Sequence, residues 1–504
     1  MNISEYRHAF ASFNSSLELL RYQSHVGLTP EVNADEIFDE HRSLFSIESI
    51  SELRTLLDQT PADFGTEVRA LQRLLDAVQS RQVELRNCDL TAELARCESA
   101  TVIHWMGRQI GLAEVPARLA SAPANQRHEL GARWLDALAT CDGLRLSWRD
   151  ALNESARVLG FPSYYQLRLK SSWTKSHGLQ QAAFLILEQT ESDYRSALKN
   201  LVSRELPERR LNEFDYTDWP YLAHTVWLDE YLPSSKLVRT HSETVRGMGI
   251  RLDQQKNLEL HRGAVSSKKA AVCFPVRPPF DVRLALAPDG GSAEFLRGQQ
   301  QFGKAQHFAW CSKDITRRYP EFIYSSDTAT ADGFGYLFKY LALDLRWLLE
   351  FLPEIGGVWA GRIAKDVGLQ LSLSLRTLCA AVLFDPHLYD EAQSSEQLQA
   401  TYVALYERAT SLSMRPELFL RNLEHGLRSE CKLRGLAFSF SLREYLRVRY
   451  GHRWWGSRKA GDELIDLWST ASQYSVEELT SSIGFGELNF DLLAESIRSA
   501  LGGA

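Results

Sequence analysis

Gln300, Gln301, Lys304 and His307, in the stretch GQQQFGKAQHFAW at 298–310, are spaced as a chemical site spaces its groups. On a helix, about 100° per residue sets Gln300, Lys304 and His307 along one face with Gln301 at its edge, while Phe295, Phe302 and Ala309 fall on another that can pack inward. Two imidazoles a turn apart, with a carboxylate beside the first, hold a zinc ion and take a proton from its bound water. The donors here do not suit that chemistry. A Gln amide oxygen is a poor, uncharged zinc ligand, and a Lys ammonium has no free lone pair and repels a divalent ion. Gln301 cannot accept a proton near neutral pH, a role worth about 10²–10⁴-fold in rate. Lys304 becomes a base or nucleophile only if desolvation lowers its pKa. His307 reads first as a core or supporting histidine.

The elements that must position these residues are readable on either side. AAVCFPVRPP and DVRLALAP alternate as short strands, with Val282, Leu284 and Leu286 facing one way before the turn DGG; this is the one sheet region expected. Ser292 is placed to cap the helix carrying the four residues, and Asp327 or Thr328 to cap a second running through TADGFGYLFKYLALDLRWLLEFL. Gly333 and Gly335 in that second helix fit close helix packing better than phosphate binding. From Met1 to about Leu152 the pattern is helical without a strand, as in the stripe Val68, Leu71, Leu74, Leu75, Val78. Helices follow GFPSYYQLR, with Pro116, Pro162 and Pro220 at the joints, and resume beyond Asp344 to the end.

Residues from about His261 to Leu349 resemble the catalytic core of the thimet-oligopeptidase-like and oligoendopeptidase-like gluzincin peptidases. Those zinc enzymes carry a basic stretch, an edge strand, a Pro-Gly-Gly-like turn, H-E-x-G-H-A-x-H and a helix opening near TEGYAFLFEHL. The matching stretches here are HRGAVSSKKAAVCFPVRPPFDVRLALAPDGG, QQFGKAQH and TADGFGYLFKYL. By that resemblance Gln300 stands where the first zinc His would be, Gln301 where the base Glu would be, Lys304 where the second His would be and Asp332 where the third-ligand Glu would be; His307 keeps the trailing His. The resemblance implies a mostly α, elongated fold with a small β-sheet beside a deep channel between two lobes, divided into a helical lobe at 1–152 and a peptidase-like domain at 153–504. It implies that zinc is lost, that no cofactor replaces it, and that Lys304 and Asp332, which would converge on the metal, form an ion pair instead. The expected function is an inactive metallopeptidase homologue holding a peptide or protein in its channel, with His307 nearby and the edge at Val282, Leu284 and Leu286 pairing with an extended chain. The alternative is a hydrolase with a rebuilt site around Lys304. Lys432 and Ser439 mark where the family's oxyanion helper would be sought, with Tyr445 nearby.

Composition bounds these readings. The 504 residues are 44% hydrophobic and 24% charged with net charge −7, and the charges are interspersed, so no basic field draws the chain to nucleic acid. The charged amino terminus and the lack of about 18 consecutive apolar residues predict neither signal peptide nor membrane span, hence a cytoplasmic protein. Seven scattered cysteines with no C-x-x-C pair read as buried free thiols. FDEHRS at Asp39–His41, DPHLYDE at Asp385–Glu391 and LEHG at Glu424–His425 read as solvated helix ends. No G-x-S-x-G elbow or phosphate loop occurs. A third reading, a structural or oligomer-forming protein, makes Trp454 and Trp455 an exposed interface.

Overall fold

Apolar residues at three- and four-residue spacing dominate the chain, and the computed structural model is accordingly mostly helical, 74% helix against 5% strand. It describes residues 1–29, 34–171, 176–207, 210–262, 270–287, 290–423 and 428–502. The basic stretch 263–269, Pro288 and Asp289 of the expected turn, and Glu424 and His425 lie outside the described residues. Five strands occur among those described: β1 (Val102–Trp105), β2 (Arg108–Gly111), β3 (Leu258–His261), β4 (Val272–Arg277) and β5 (Asp281–Ala285). The chain divides into two units, each of three segments: 1–82, 227–364 and 434–493 in the first, and 83–226, 365–433 and 494–504 in the second.

The first unit holds the sheet β3-β5-β4, with β3 parallel and β4 antiparallel to β5. Alternation along β5 turns Val282, Leu284 and then Leu286 inward, at 0%, 0% and 4% exposure. The Ile3–His25 helix, capped by the Asn2 side chain accepting from Ser4 and Glu5 N–H, covers the sheet through a cluster of Tyr22, Val26, Phe274, Val276 and Ala285. The Ser292–Ala309 helix starts one residue earlier than a Ser292 cap requires. Asp229 supplies the cap, its Oδ1 accepting from both the Ser292 N–H and hydroxyl at 2.8 Å. A Cβ on Gly291 would sit 2.0 Å from that carboxylate, so the approach needs glycine.

Asp327 caps the Ala329–Lys339 helix, accepting from the Ala329 N–H at 3.0 Å. Its other oxygen meets Arg73 at 3.2 Å and Arg434 at 3.1 Å. Burial opposes its charge, but those two guanidinium groups hold the carboxyl well below the usual range. The helix expected to run on to Leu352 is instead broken: a 3-10 turn fills Tyr340–Leu343, and Asp344 starts Leu345–Phe351 by accepting from the Arg346 N–H at 2.9 Å. Helices follow from there to the carboxyl end, as the sequence indicates. Trp454 and Trp455 are not an exposed interface; each is 1% exposed, and Trp455 Nε1 donates to Glu350.

The second unit departs from the sequence reading twice. β1 and β2 form a hairpin inside the stretch expected to be all helical, turned by Met106 and Gly107 at φ 48° and 75°. Cys97 and Cys141 form a disulfide, so the seven cysteines are not all free thiols; Cys88 is exposed, and Cys311, Cys379 and Cys431 are buried outside any disulfide. Arg376 is buried in this unit. It donates to the carbonyls of Ala409 at 2.7 Å and Leu187 at 2.9 Å and to Thr190, and pairs with Glu191. By length and composition the segment Pro353–Leu388 is apolar enough to cross a membrane, and 67% of that window is buried within the fold.

Candidate functional site

Two glycines bring the candidate residues together. A Cβ on Gly303 would lie 2.5 Å from the Phe334 carbonyl oxygen, and one on Gly335 would lie 2.8 Å from that of Gln300. The Ser292–Ala309 and Ala329–Lys339 helices therefore touch backbone to backbone at this crossing. On its far side the second helix is gripped the same way, a Cβ on Gly435 falling 2.7 Å from the Ala329 oxygen. The glycines of GFGYLF thus serve helix packing.

At the crossing, Lys304 and Asp332 form the ion pair that their facing positions suggest, with side chains 21% and 9% exposed. The second oxygen of Asp332 accepts from the Thr328 hydroxyl at 2.7 Å, so both carboxylate oxygens are engaged. Gln301 lies on the flank toward the sheet, where its Oε1 accepts from the Cys273 N–H at 3.1 Å. Glu294, two turns earlier, accepts from the Ala271 N–H at 3.2 Å. Pro275, next along β4, has no N–H, so the outward donors of that edge are occupied or missing. Gln300 is half-buried beside Gly335.

The expected docking edge is not an edge. β5 is the central strand, paired on both sides, and Val282, Leu284 and Leu286 are core side chains; Leu286 N–H itself donates to His261 O at 3.0 Å. No peptide strand can add to it, because both of its edges are already paired, and alternation along the sequence does not tell a central strand from an edge one. His307 is likewise inside: 0% exposed, stacked on Phe334 at 5.1 Å, with no partner for either ring nitrogen among the described residues. Burial, with Lys304 adding to it, pushes its imidazole down to about 3. Ser439 is buried, and Tyr445 donates to Glu463 at 3.0 Å rather than toward the ion pair.

These donors do not fit zinc. One candidate ligand is an ammonium already paired with the Asp332 carboxylate, and the group in the base position is an amide bound to a strand N–H.

Sequence reasoning missed four features. His241 donates through Nδ1 to Gln299 at 2.9 Å and stacks on Phe302 at 4.1 Å; burial pushes it down to about 4, though the Gln299 bond opposes this. His128, Asp215 and Asp218 in the second unit have ligand atoms within 4.8 Å of one another, but Asp218 is paired with Arg127 at 2.7 Å. Asp385, read as solvated, is 3% exposed and accepts from the Ser429 hydroxyl. The fourth is Lys339, half-buried one turn beyond Gly335. Only the i+7 spacing of Asp332 and Lys339 signalled that it shares their stripe. Against known proteins, no family model matches the chain and no curated protein does.

Proposed function

We propose that this chain is a gluzincin-like pseudo-peptidase: a scaffold of the oligopeptidase type in which a Lys304–Asp332 pair takes the place of zinc, and which binds a peptide or protein rather than cleaving it. The ion pair carries this reading. It joins the two positions where the resemblance puts a second and a third metal ligand, and Gln301, in the base position, holds β4 instead of a water. Binding at β5 by strand addition is excluded by its central place, so the reading leaves the ligand to contacts other than that strand. A rebuilt catalytic site at Lys304 has less support, because a paired ammonium is a poor nucleophile.

Zinc analysis of the purified chain and a general peptide-cleavage assay test the reading directly: the expected result is no stoichiometric zinc and no cleavage that a chelator stops. Chelator-sensitive hydrolysis would overturn it. Restoring Gln300→His, Gln301→Glu, Lys304→His and Asp332→Glu together is expected to create a zinc site of at least micromolar strength, about −8 kcal/mol. No gain in zinc affinity by a folded quadruple variant would sink the placement of these helices.

A further inference from the structure

In the second unit the Cys88–Ala100 helix is held to its surroundings by few side chains. Of its 13 residues Leu94 alone is buried, and most of the others face outward. Three ties carry this helix to the Asp142–Val158 helix. Asn87, just before it, donates through Nδ2 to the Ser155 hydroxyl at 2.9 Å. Near its end Glu98 pairs with Arg145 at 2.7 Å, and beside that ion pair runs the Cys97–Cys141 disulfide. One buried leucine does not offset the entropy of ordering the whole helix, so these ties decide whether it stays docked.

The two cysteines of the bridge are not equivalent. Cys97 is half-buried, whereas Cys141 is 0% exposed, so a thiol arriving from solution meets the bridge at Cys97. Cys141 stands at the N-cap of the Asp142–Val158 helix, its carbonyl accepting from the Arg145 N–H at 3.1 Å. The start of a helix is electropositive and favours a thiolate there over one in plain apolar surroundings. The Thr101 hydroxyl adds to this, 3.8 Å from Cys141 Sγ. It meets the Cys97 carbonyl at 2.7 Å while the bridge is closed and can turn to an anionic sulfur once the bridge opens. Asp142, next in the chain, opposes that charge, and Arg145 Nη1 holds its carboxylate at 2.7 Å.

We propose that Cys97 is a thiol-exchange site: a low-molecular-weight thiol attacks its sulfur, Cys141 is the leaving group, and the Cys88–Ala100 helix loses its covalent tie. The incoming thiolate forms an S–S bond with Cys97 as the Cys97–Cys141 bond breaks, and the electron pair goes to Cys141 Sγ, which takes up the proton the thiol gave up. A second thiolate attacks the incoming sulfur of the mixed disulfide and expels Cys97. Two thiols are thereby oxidised to one disulfide while the bridge is reduced to two cysteines. Cys88 is not the attacking group, because nine residues of helix set it roughly 13 Å from Cys97 along the axis and on the opposite side. The site lies wholly within the second unit and does not depend on the peptide-binding reading.

The test exposes the folded full chain to reduced glutathione, quenches with acid and N-ethylmaleimide, and maps the adducts by peptide mass spectrometry while amide exchange is followed across 88–100. The expected result is glutathione on Cys97 and maleimide on Cys141, with exchange in 88–100 faster by about tenfold or more and the first unit unchanged. Thr101→Val is expected to slow the opening about threefold by withdrawing a donor from the leaving sulfur, and Thr101→Ser to keep the rate of the unaltered chain. Cys88→Ser is expected to leave that rate as it is. Glutathione found on Cys141 as often as on Cys97 overturns the proposal, as does a bridge that opens only in denaturant strong enough to unfold the chain.

Discussion

Asp332 serves two partners, the Lys304 ammonium and the Thr328 hydroxyl, so removing either charge of the pair leaves the other poorly compensated. Lys304→Met and Asp332→Asn are each expected to lower stability by about 1–3 kcal/mol, and the double variant by less than their sum, in urea unfolding. Strict additivity would show that the two side chains do not interact. The histidines set a pH dependence. His241 and His307 have folded pKa values of about 4 and about 3, below the ordinary 6.5, so the unfolded chain binds more protons through that window. Stability is therefore full above about pH 6.5 and is lost as pH falls toward 3, by several kcal/mol at the lower end. Melting temperatures taken between pH 7 and 4.5 should show this slope, shallower in His307→Leu; an equal slope in that variant would remove His307 as a source. The Lys304–Asp332 pair was legible only through the resemblance, which sets those two positions where metal ligands would converge. His241 with Gln299, 58 residues apart, was not, since nothing local tells which face of one helix meets another.

Helices announce their starts more reliably than their partners. Asp327 could be read as a cap because a short acidic side chain before an apolar run satisfies free N–H groups, whereas Asp344, inside a stretch that reads as one continuous helix, and Asp229, which caps Ser292–Ala309 from 63 residues away, could not. The β1-β2 hairpin escaped notice because each strand is four residues long and buries one side chain, too little to show a period of two. The order β3-β5-β4 is a long-range choice that alternation cannot reveal. The glycine crossing gives the sharpest test at this scale. Gly303→Ala forces a methyl to 2.5 Å from a carbonyl oxygen and is expected to cost about 2–3 kcal/mol, while Gly361→Ala, with nothing within 4 Å, should gain about 0.5–1 kcal/mol from helix propensity. Equal effects in thermal unfolding would mean that the two helices are farther apart than described.

Each unit is assembled from three separate stretches of chain, so no single cut yields either one whole. In the second, the Cys97–Cys141 bridge spans 44 residues and restricts the unfolded chain. Cys97→Ser with Cys141→Ser is expected to cost about 2–4 kcal/mol, seen as faster amide exchange across 88–158 with the first unit unaffected. Unchanged exchange there would show that the bridge does not form. In the first unit the decisive junction is the carboxylate of Asp327, which Arg73 reaches across 254 residues and Arg434 across 107. On a ribosome, Asp327 emerges with one of its arginines already made and the other still untranslated. The nascent chain must then carry an unfinished helix start through more than a hundred further codons, which makes the arrival of Arg434 the event that closes this half of the protein and places its early segments in the care of whatever shields apolar surface during synthesis.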